Sequence, residues 1–457
     1  MRVSTLAIAL LATASSALAV FHGVPRDTDE FRKKHVYITP PCEEDRWFVQ
    51  IPPSKNDTDD VSDFFEQGLR IANNGGTLWL LEGQTYIIGK PLNLTFLNDV
   101  HVRLEGTIKF TDDTKYWQAN AFYHPFQKSL MFWKWGGKDI KIYGSGTIDG
   151  NGQRWYNEFA GLEILSTGNT YLRPILFYVE NATNIAIEGI NYKNSPVWNN
   201  FIVTSKNIYM HDLTIVAKSN NLSALPKNTD FFDSLNIYNL TVERVWVNIG
   251  DDCFSPKSNA SLVHVNTMYC NGSHGQSMGS IGQYAGEKSI IEDVVIENVW
   301  LLNGDNGARI KSWAGPNVGY GYVNNVTFRN FWLGHVDYSV QIDSCYFNIN
   351  SSTCAKYPSQ VNVTNVKFEN FYGTTSGKNG RVVGKLSCSS SESAVCNNIT
   401  FVNYNVTSPC GGPPVVACDG VKGDTGLKCV SVTSDEYKAA LKANCTSPQV
   451  TLDKRPW

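Results

Sequence analysis

One short pattern recurs along this chain and sets what it can fold into. It reads Asn or Asp, apolar, any, apolar, any, any, apolar. Copies begin at Asp139, Asn184, Asn207, Asn239, Asp293, Asn325, Asn365 and Asn398, and the first alone lacks its last apolar residue. The starts are 45, 23, 32, 54, 32, 40 and 33 residues apart, and the longest gap divides if Ser261-Leu-Val-His-Val is a degenerate copy. Within each copy the apolar positions alternate as in a strand with one buried face. No 3.6-residue stripe runs between copies, so βαβ units are excluded. A strand that returns without intervening helices must stack on its own copies. The predicted fold is all-β, a right-handed parallel β-helix with an apolar interior. Asn at the corners suits the left-handed conformation and can bond to the next coil. A β-propeller and a β-sandwich are the alternatives, and the irregular spacing speaks against blades of four strands.

The solenoid is placed from about Asp59 to Thr407. Ser62 to Asn74 reads as a short N-terminal capping helix with Ser62 as N-cap, and the cysteine-rich tail from Cys410 should close the other end. Residues 1–19 read as a secretory signal peptide: a basic start, an apolar run at Leu6–Leu11 and an A-x-A-like end at Ala19. The run is shorter than the ~20 residues a span needs. Residues 20–457 are then a single domain. Thirteen N-x-[ST] sequons, at Asn56, Asn93, Asn181, Asn221, Asn239, Asn259, Asn271, Asn325, Asn350, Asn362, Asn398, Asn405 and Asn444, agree with a secreted, extracellular glycoprotein. Eleven cysteines, an odd number, imply disulfides with one thiol left over. Zinc is the rival reading, and no CxxC pair supports it. A net charge of −3 leaves no basic excess for nucleic acid or an acidic membrane surface.

The chemistry-bearing residues gather in one stretch. Asp230 precedes the pair Asp251-Asp252 by 21 residues, about one coil, and His274 follows about one coil further on. Arg309 and Lys311 share one strand face. Three carboxylates, a His, an Arg and a Lys can thus line one strip. For both Asp251 and Asp252 to face it, the backbone must bend, which Gly250 permits. Taken singly, the Asp pair reads as a solvated turn or calcium ligands, His274 as a surface histidine, and the cations as their partners.

Asn228-Thr229-Asp230, Gly250-Asp251-Asp252, His274-Gly275 and Arg309-Ile310-Lys311 resemble the four signature motifs of the polygalacturonases, glycoside hydrolase family 28. Gly146–Gly152 and Asn194-Ser195-Pro196 extend the resemblance. The segments Asn228–Ser234 and Gly272–Tyr284 look most like secreted fungal exo-polygalacturonases. The resemblance implies an inverting hydrolase of α-1,4-linked galacturonic acid in pectin, with no cofactor and no metal, acting from the non-reducing end as a monomer. By motif match Asp251 is the general acid. Asp230 and Asp252 hold and activate water, and His274 tunes the acid. Arg309 and Lys311 bind the galacturonate carboxylate, Tyr346 contacts substrate, and Lys257 is a further substrate-binding cation. An inverting acid and base stand about 6.5–9.5 Å apart. Phe231 and Ser273 depart from the family pattern and are expected to add bulk beside the site. Cys253 and Cys270, 17 apart near the site, are the expected disulfide; Cys345 with Cys354 and Cys388 with Cys396 come next.

Alternatives are a rhamnogalacturonan- or xylogalacturonan-acting hydrolase, an endo-polygalacturonase, a calcium-dependent pectate lyase and a non-catalytic binding solenoid. For exo action one end of the cleft must be walled off. Phe110–Trp135, carrying Tyr116, Trp117, Phe122, Tyr123, Phe126, Phe132 and Trp133, and Tyr156–Tyr171 are the candidate loops. Packing on the solenoid flank is the alternative for each aromatic.

Overall fold

The computed structural model describes residues 25, 27–41, 45–347 and 349–445. Residues 1–19, read from the sequence as a signal peptide, and Cys42 lie outside them. Two compact units are present, residues 1–36 and 37–457. In the first, a helix spans Thr28–Lys34, and Asp27 caps it by accepting from Glu30 N at 2.8 Å.

The second unit is the parallel β-helix that the repeat predicts. On its longest face, Leu92–Leu104, Trp133–Tyr143, Phe177–Glu188, Asn200–His211 and Phe232–Asn248 stack in parallel. Ala260–Asn271, Lys288–Leu302, Tyr320–Val336, Gln360–Thr375 and Cys396–Thr407 continue the stack. A second face runs from Thr85–Ile88 through Thr147–Asp149 to Thr214–Val216. The third, which bears the site, holds Phe254–Pro256, Gln276–Ile281, Asn306–Ser312, Tyr338–Asp343 and Val382–Ser387.

The repeat explains the stacking. Its first apolar position forms one inward ladder, Ile208–Leu240–Val263–Val294–Val326–Val366–Ile399, every member buried. Each such side chain contributes about 1.5–3 kcal/mol of burial. The corner Asn residues form a second ladder: Asn184 donates to Asp139, Asn207 to Asn184 and Asn239 to Asn207, at 2.6–2.9 Å. All four stand at φ between 54° and 59°, the left-handed region that Asn tolerates. In the degenerate copy the corner falls to Leu262, at φ 56°. There a branched side chain takes a conformation that costs it energy.

Three expectations change. The capping helix spans Ser62–Ala72, and Asp60, not Ser62, accepts at its start, from Ser62 N at 2.9 Å. The Ser62 hydroxyl is instead an acceptor for Gly89 N. The coils run past Thr407: Val415–Asp419 pairs with Val382–Ser387 and Cys429–Val430 with Val416–Ala417, before a final helix at Asp435–Leu441. The Asn271 side chain is buried and donates to Asn248, so that sequon has no room for a glycan.

Ten cysteines form five disulfides: Cys253–Cys270, Cys345–Cys354, Cys388–Cys396, Cys410–Cys445 and Cys418–Cys429. Among the described residues no helix is long and apolar enough to cross a membrane.

Candidate active site

The site forms where one coil breaks. Strand Phe232–Asn248 ends, Ile249–Asp252 bends, and Phe254–Pro256 resumes on the third face. Gly250 is required by proximity rather than by φ, because a Cβ there would meet Pro226 O at 2.1 Å. The bend lets Asp251 and Asp252 reach the same cleft. His274 N donates to Asp251 O on the next coil, and Phe231 N to Asp252 O, so Asp230, Asp251-Asp252 and His274 follow one another coil by coil. Arg309 and Lys311 point outward from one strand while Ile310 enters the core.

The three carboxyls are held differently. Asp252 is 1% exposed. It accepts from Ser277 Oγ at 2.7 Å on Oδ1, and on Oδ2 from Ser255 Oγ at 3.1 Å and from Lys311 Nζ. Burial pushes its pKa up, but the Lys311, Lys257 and Arg309 cations outweigh that and hold it far below the usual carboxylate range. Asp251 has its side chain 15% exposed and receives His274 Nδ1 at 3.0 Å, its neighbour's backbone N–H at 2.8 Å, and Asn228 Nδ2 at 3.1 Å. Burial again raises it, and His274 more than reverses the effect. Asp230 is 3% exposed, and its Oδ1 has no hydrogen-bond partner among the described residues. Burial, then the negative charges of Asp233, Asp251 and Asp252, raise it well above the ordinary value. His274 is held protonated to about 9, chiefly by Asp251. As these side chains stand, Asp230 keeps a proton, Asp251 and Asp252 are ionised, and His274 is a cation.

One oxygen of Asp251, one of Asp252 and one ring nitrogen of His274 lie within 4.8 Å of one another. That is short of the expected 6.5–9.5 Å, so the facing oxygens of Asp251 and Asp252 stand closer than an acid and base framing a water. Tyr346 lies beside both cations, its ring centre 5.2 Å from Arg309 Cζ and from Lys311 Nζ. Lys257 lines the cleft near Trp198, almost fully buried and ion-paired with Asp233 at 2.8 Å. Phe231 is fully buried in the core, and Ser273 is buried with its hydroxyl accepting from Gly275 N. Neither adds bulk to the cleft.

Several contributors were not read from the sequence. Asp305 lies 3.4 Å from the far ring nitrogen of His274. Arg173 donates to Asn228 Oδ1, fixing the amide that grips Asp251. Asp233 sits fully buried beneath the strip.

The cleft has a volume of about 380 Å3 and includes Gln127, Glu163, Trp198 and Tyr346 among its walls. Gln127 N donates to Tyr284 OH at 2.8 Å, and Gln127 Nε2 to Gln283 Oε1 at 3.1 Å. Phe126 packs edge-on against the Tyr284 ring. This turn straps one end of the cleft across residues 157 apart in sequence. Three aromatics of the segment form no wall: Trp117, Phe132 and Trp133 are core residues with no exposure. A second basin of about 510 Å3 is lined by Arg309, Asp305, Asp337 and Lys378.

The sequence profile of Glycosyl hydrolases family 28 matches residues 84–432. A protein of Neosartorya fischeri named probable exopolygalacturonase B is 58% identical over 393 residues, 86% of each chain. One of the same name from Aspergillus terreus is 54% identical over 431 residues, 93% of this chain and 99% of that one. Among solved structures, endo-xylogalacturonan hydrolase from Aspergillus tubingensis is 30% identical with a TM-score of 0.76, covering 84% of this chain and 99% of that one.

Proposed function

This chain belongs to glycosyl hydrolases family 28, and from that membership we propose that it is a secreted exo-polygalacturonase releasing galacturonic acid from the non-reducing end of pectic galacturonan. The observation that carries the exo mode is the strap from Gln127 to Gln283 and Tyr284. It closes one end of the cleft, and Glu163 adds a carboxylate there that repels a further uronate. The terminal sugar occupies the closed end. The rest of the chain leaves over Arg309 into the open basin.

Arg309 and Lys311 take the galacturonate carboxylate as charge-assisted bonds, and Tyr346 presents its ring beside them. Asp252 has about four acceptor directions and three donors, leaving one for a water. Being buried and so engaged, it is poorly placed to attack the sugar itself, which favours water as nucleophile and inversion. The water oxygen attacks the anomeric carbon, and its proton passes to Asp252. The leaving oxygen takes a proton through Asp251, which first receives it across 3.0 Å from the His274 imidazolium. A second reading makes Asp230 the acid, favoured by its raised pKa beside the lowered one of Asp251.

The disulfides and exposed sequons support export. The endo-xylogalacturonan relative keeps a branched substrate as the alternative. Viscosity and reducing-end release on polygalacturonate test the exo mode. Wild type should release reducing ends as monomer with little early viscosity loss. Tyr284→Ala, which loosens the strap, should add short oligomers. A steep early viscosity drop by wild type would make it an endo enzyme.

A further inference from the structure

Lys257 reads from the sequence as another cation for the substrate. The structure places it in the wall of the cleft, with its ammonium engaged by protein groups. Its Nζ lies 2.8 Å from Asp233 Oδ1, 2.6 Å from Ser255 Oγ and 3.3 Å from Gly279 O. Of the three N–H donors of an ammonium, two go to Ser255 Oγ and Gly279 O, and Asp233 is its ion-pair partner. Asp233 and Ser255 are register partners on adjacent coils, and Lys257 follows Ser255 by two along the chain, just past the end of the strand. The Ser255 hydroxyl is in turn 2.6 Å from Gly279 O and 3.1 Å from Asp252 Oδ2.

We propose that Lys257 is a positioning residue for hydrolysis: it holds Ser255 and Gly279 so that the serine proton is directed to Asp252, and it neutralises Asp233, without touching the substrate. This rests on the reading of the chain as an exo-polygalacturonase.

A hydroxyl has one proton, and two acceptors compete for this one. The ammonium donates to the serine oxygen and also to the Gly279 carbonyl. With the carbonyl supplied, the hydroxyl proton goes to Asp252. Ser277 and Lys311 complete the grip on that carboxylate, which then keeps a fixed direction for its water. The same ammonium explains how Asp233 is tolerated. That carboxyl is fully buried, and its Oδ2 accepts no hydrogen bond among the described residues. Burial pushes it up to about 7, with Lys257 pulling against burial. Removing the ammonium alone would take away the charge that opposes burial, and the carboxyl would keep its proton to higher pH.

The test is steady-state kinetics on trigalacturonate, with thermal unfolding, for wild type, Lys257→Met, Ser255→Ala and Lys257→Met/Asp233→Asn. Galacturonate release by wild type checks the functional reading independently of the variants. In Lys257→Met and Ser255→Ala, kcat should fall about tenfold or more while KM stays within about threefold, the pattern of a lost transition-state interaction. The double variant, with no unpaired charge, should melt near wild type and keep the kcat loss. A KM raised about tenfold with kcat retained would make Lys257 a substrate contact and overturn the proposal. Wild-type kcat in the folded double variant or in Ser255→Ala would overturn it equally.

Discussion

His274 Nδ1 lies 3.0 Å from Asp251 Oδ1, which makes the two a pair sharing one proton. Asp251 holds the imidazole protonated to about 9, and the imidazolium holds Asp251 ionised. The imidazolium half of the pair therefore persists through neutral pH and is lost as pH rises through about 9.

The pH profile follows from the neighbours. Asp252 is ionised well into acid, while Asp230 and Asp233 keep protons above the ordinary carboxylate range, Asp233 to about 7. Protonated Asp230 and Asp233 beside ionised Asp252 are thus an acid-to-neutral state. Activity on polygalacturonate should peak at about pH 4 to 5.5 and decline toward alkali. A maximum above about pH 7.5 would contradict this charge arrangement.

The identity of the acid can be separated from its environment. A general acid matters little when the leaving group departs unaided. Asp251→Asn should lose about 10²- to 10⁴-fold on trigalacturonate. It should recover much of that loss on 4-nitrophenyl α-galacturonide, whereas Asp230→Asn should be impaired on both. The reverse pattern would transfer the role to Asp230.

Arg309 and Lys311 should fail in different ways. Lys311 bonds to Asp252, so Lys311→Ala raises the Asp252 pKa and should lower kcat and move the acid limb upward. The Arg309 side chain lies 14% exposed at the cleft, and its Nε has no hydrogen-bond partner among the described residues. Arg309→Ala should mainly raise KM, about tenfold for one lost charge-assisted bond worth ~1.4 kcal/mol. Equal kinetic defects would show that Lys311 has no effect through Asp252 beyond the carboxylate contact it shares with Arg309.

Stability should trade against function at Asp230. Because its folded pKa is raised, the native state holds a proton that the unfolded chain releases above about pH 4, which costs stability there. Asp230→Asn should raise Tm at pH 7, with the gain vanishing below about pH 4, where both states are protonated. Asp251 and Asp252 work the other way: their depressed values contribute stability above the unfolded pKa that is lost as pH falls through the folded ones. An unchanged Tm at pH 7 would mean that Asp230 is not strained.

Much of the architecture was legible because the repeat is a packing code. A Val at the first apolar position of Asp293's copy stacks on a Val of the next, and Asn325 bonds to Asp293. The catalytic strip was legible for the same reason: coil spacing put Asp230, Asp251 and His274 on neighbouring rungs. What local pattern could not supply was direction and distant closure. Phe231 looked like bulk in the cleft, but it sits in the core. The aromatics of Phe110–Trp135 looked like a wall, yet Trp117 and Trp133 fill the interior, and the closure comes from Gln127 meeting Tyr284, a contact no periodicity announces. Lys257 and Asp233 carry no motif that reveals their pairing, because it crosses between coils.

The most direct test of the central claim is NMR of the first product formed from trigalacturonate. Exo hydrolysis by water should give free galacturonic acid as the β anomer, appearing before mutarotation, with digalacturonate as the only other early product. The short Asp251–Asp252 spacing makes the anomer informative. Initial α anomer would mean retention through a carboxylate nucleophile, and larger early oligomers from longer substrates would mean internal cleavage; either would contradict the account.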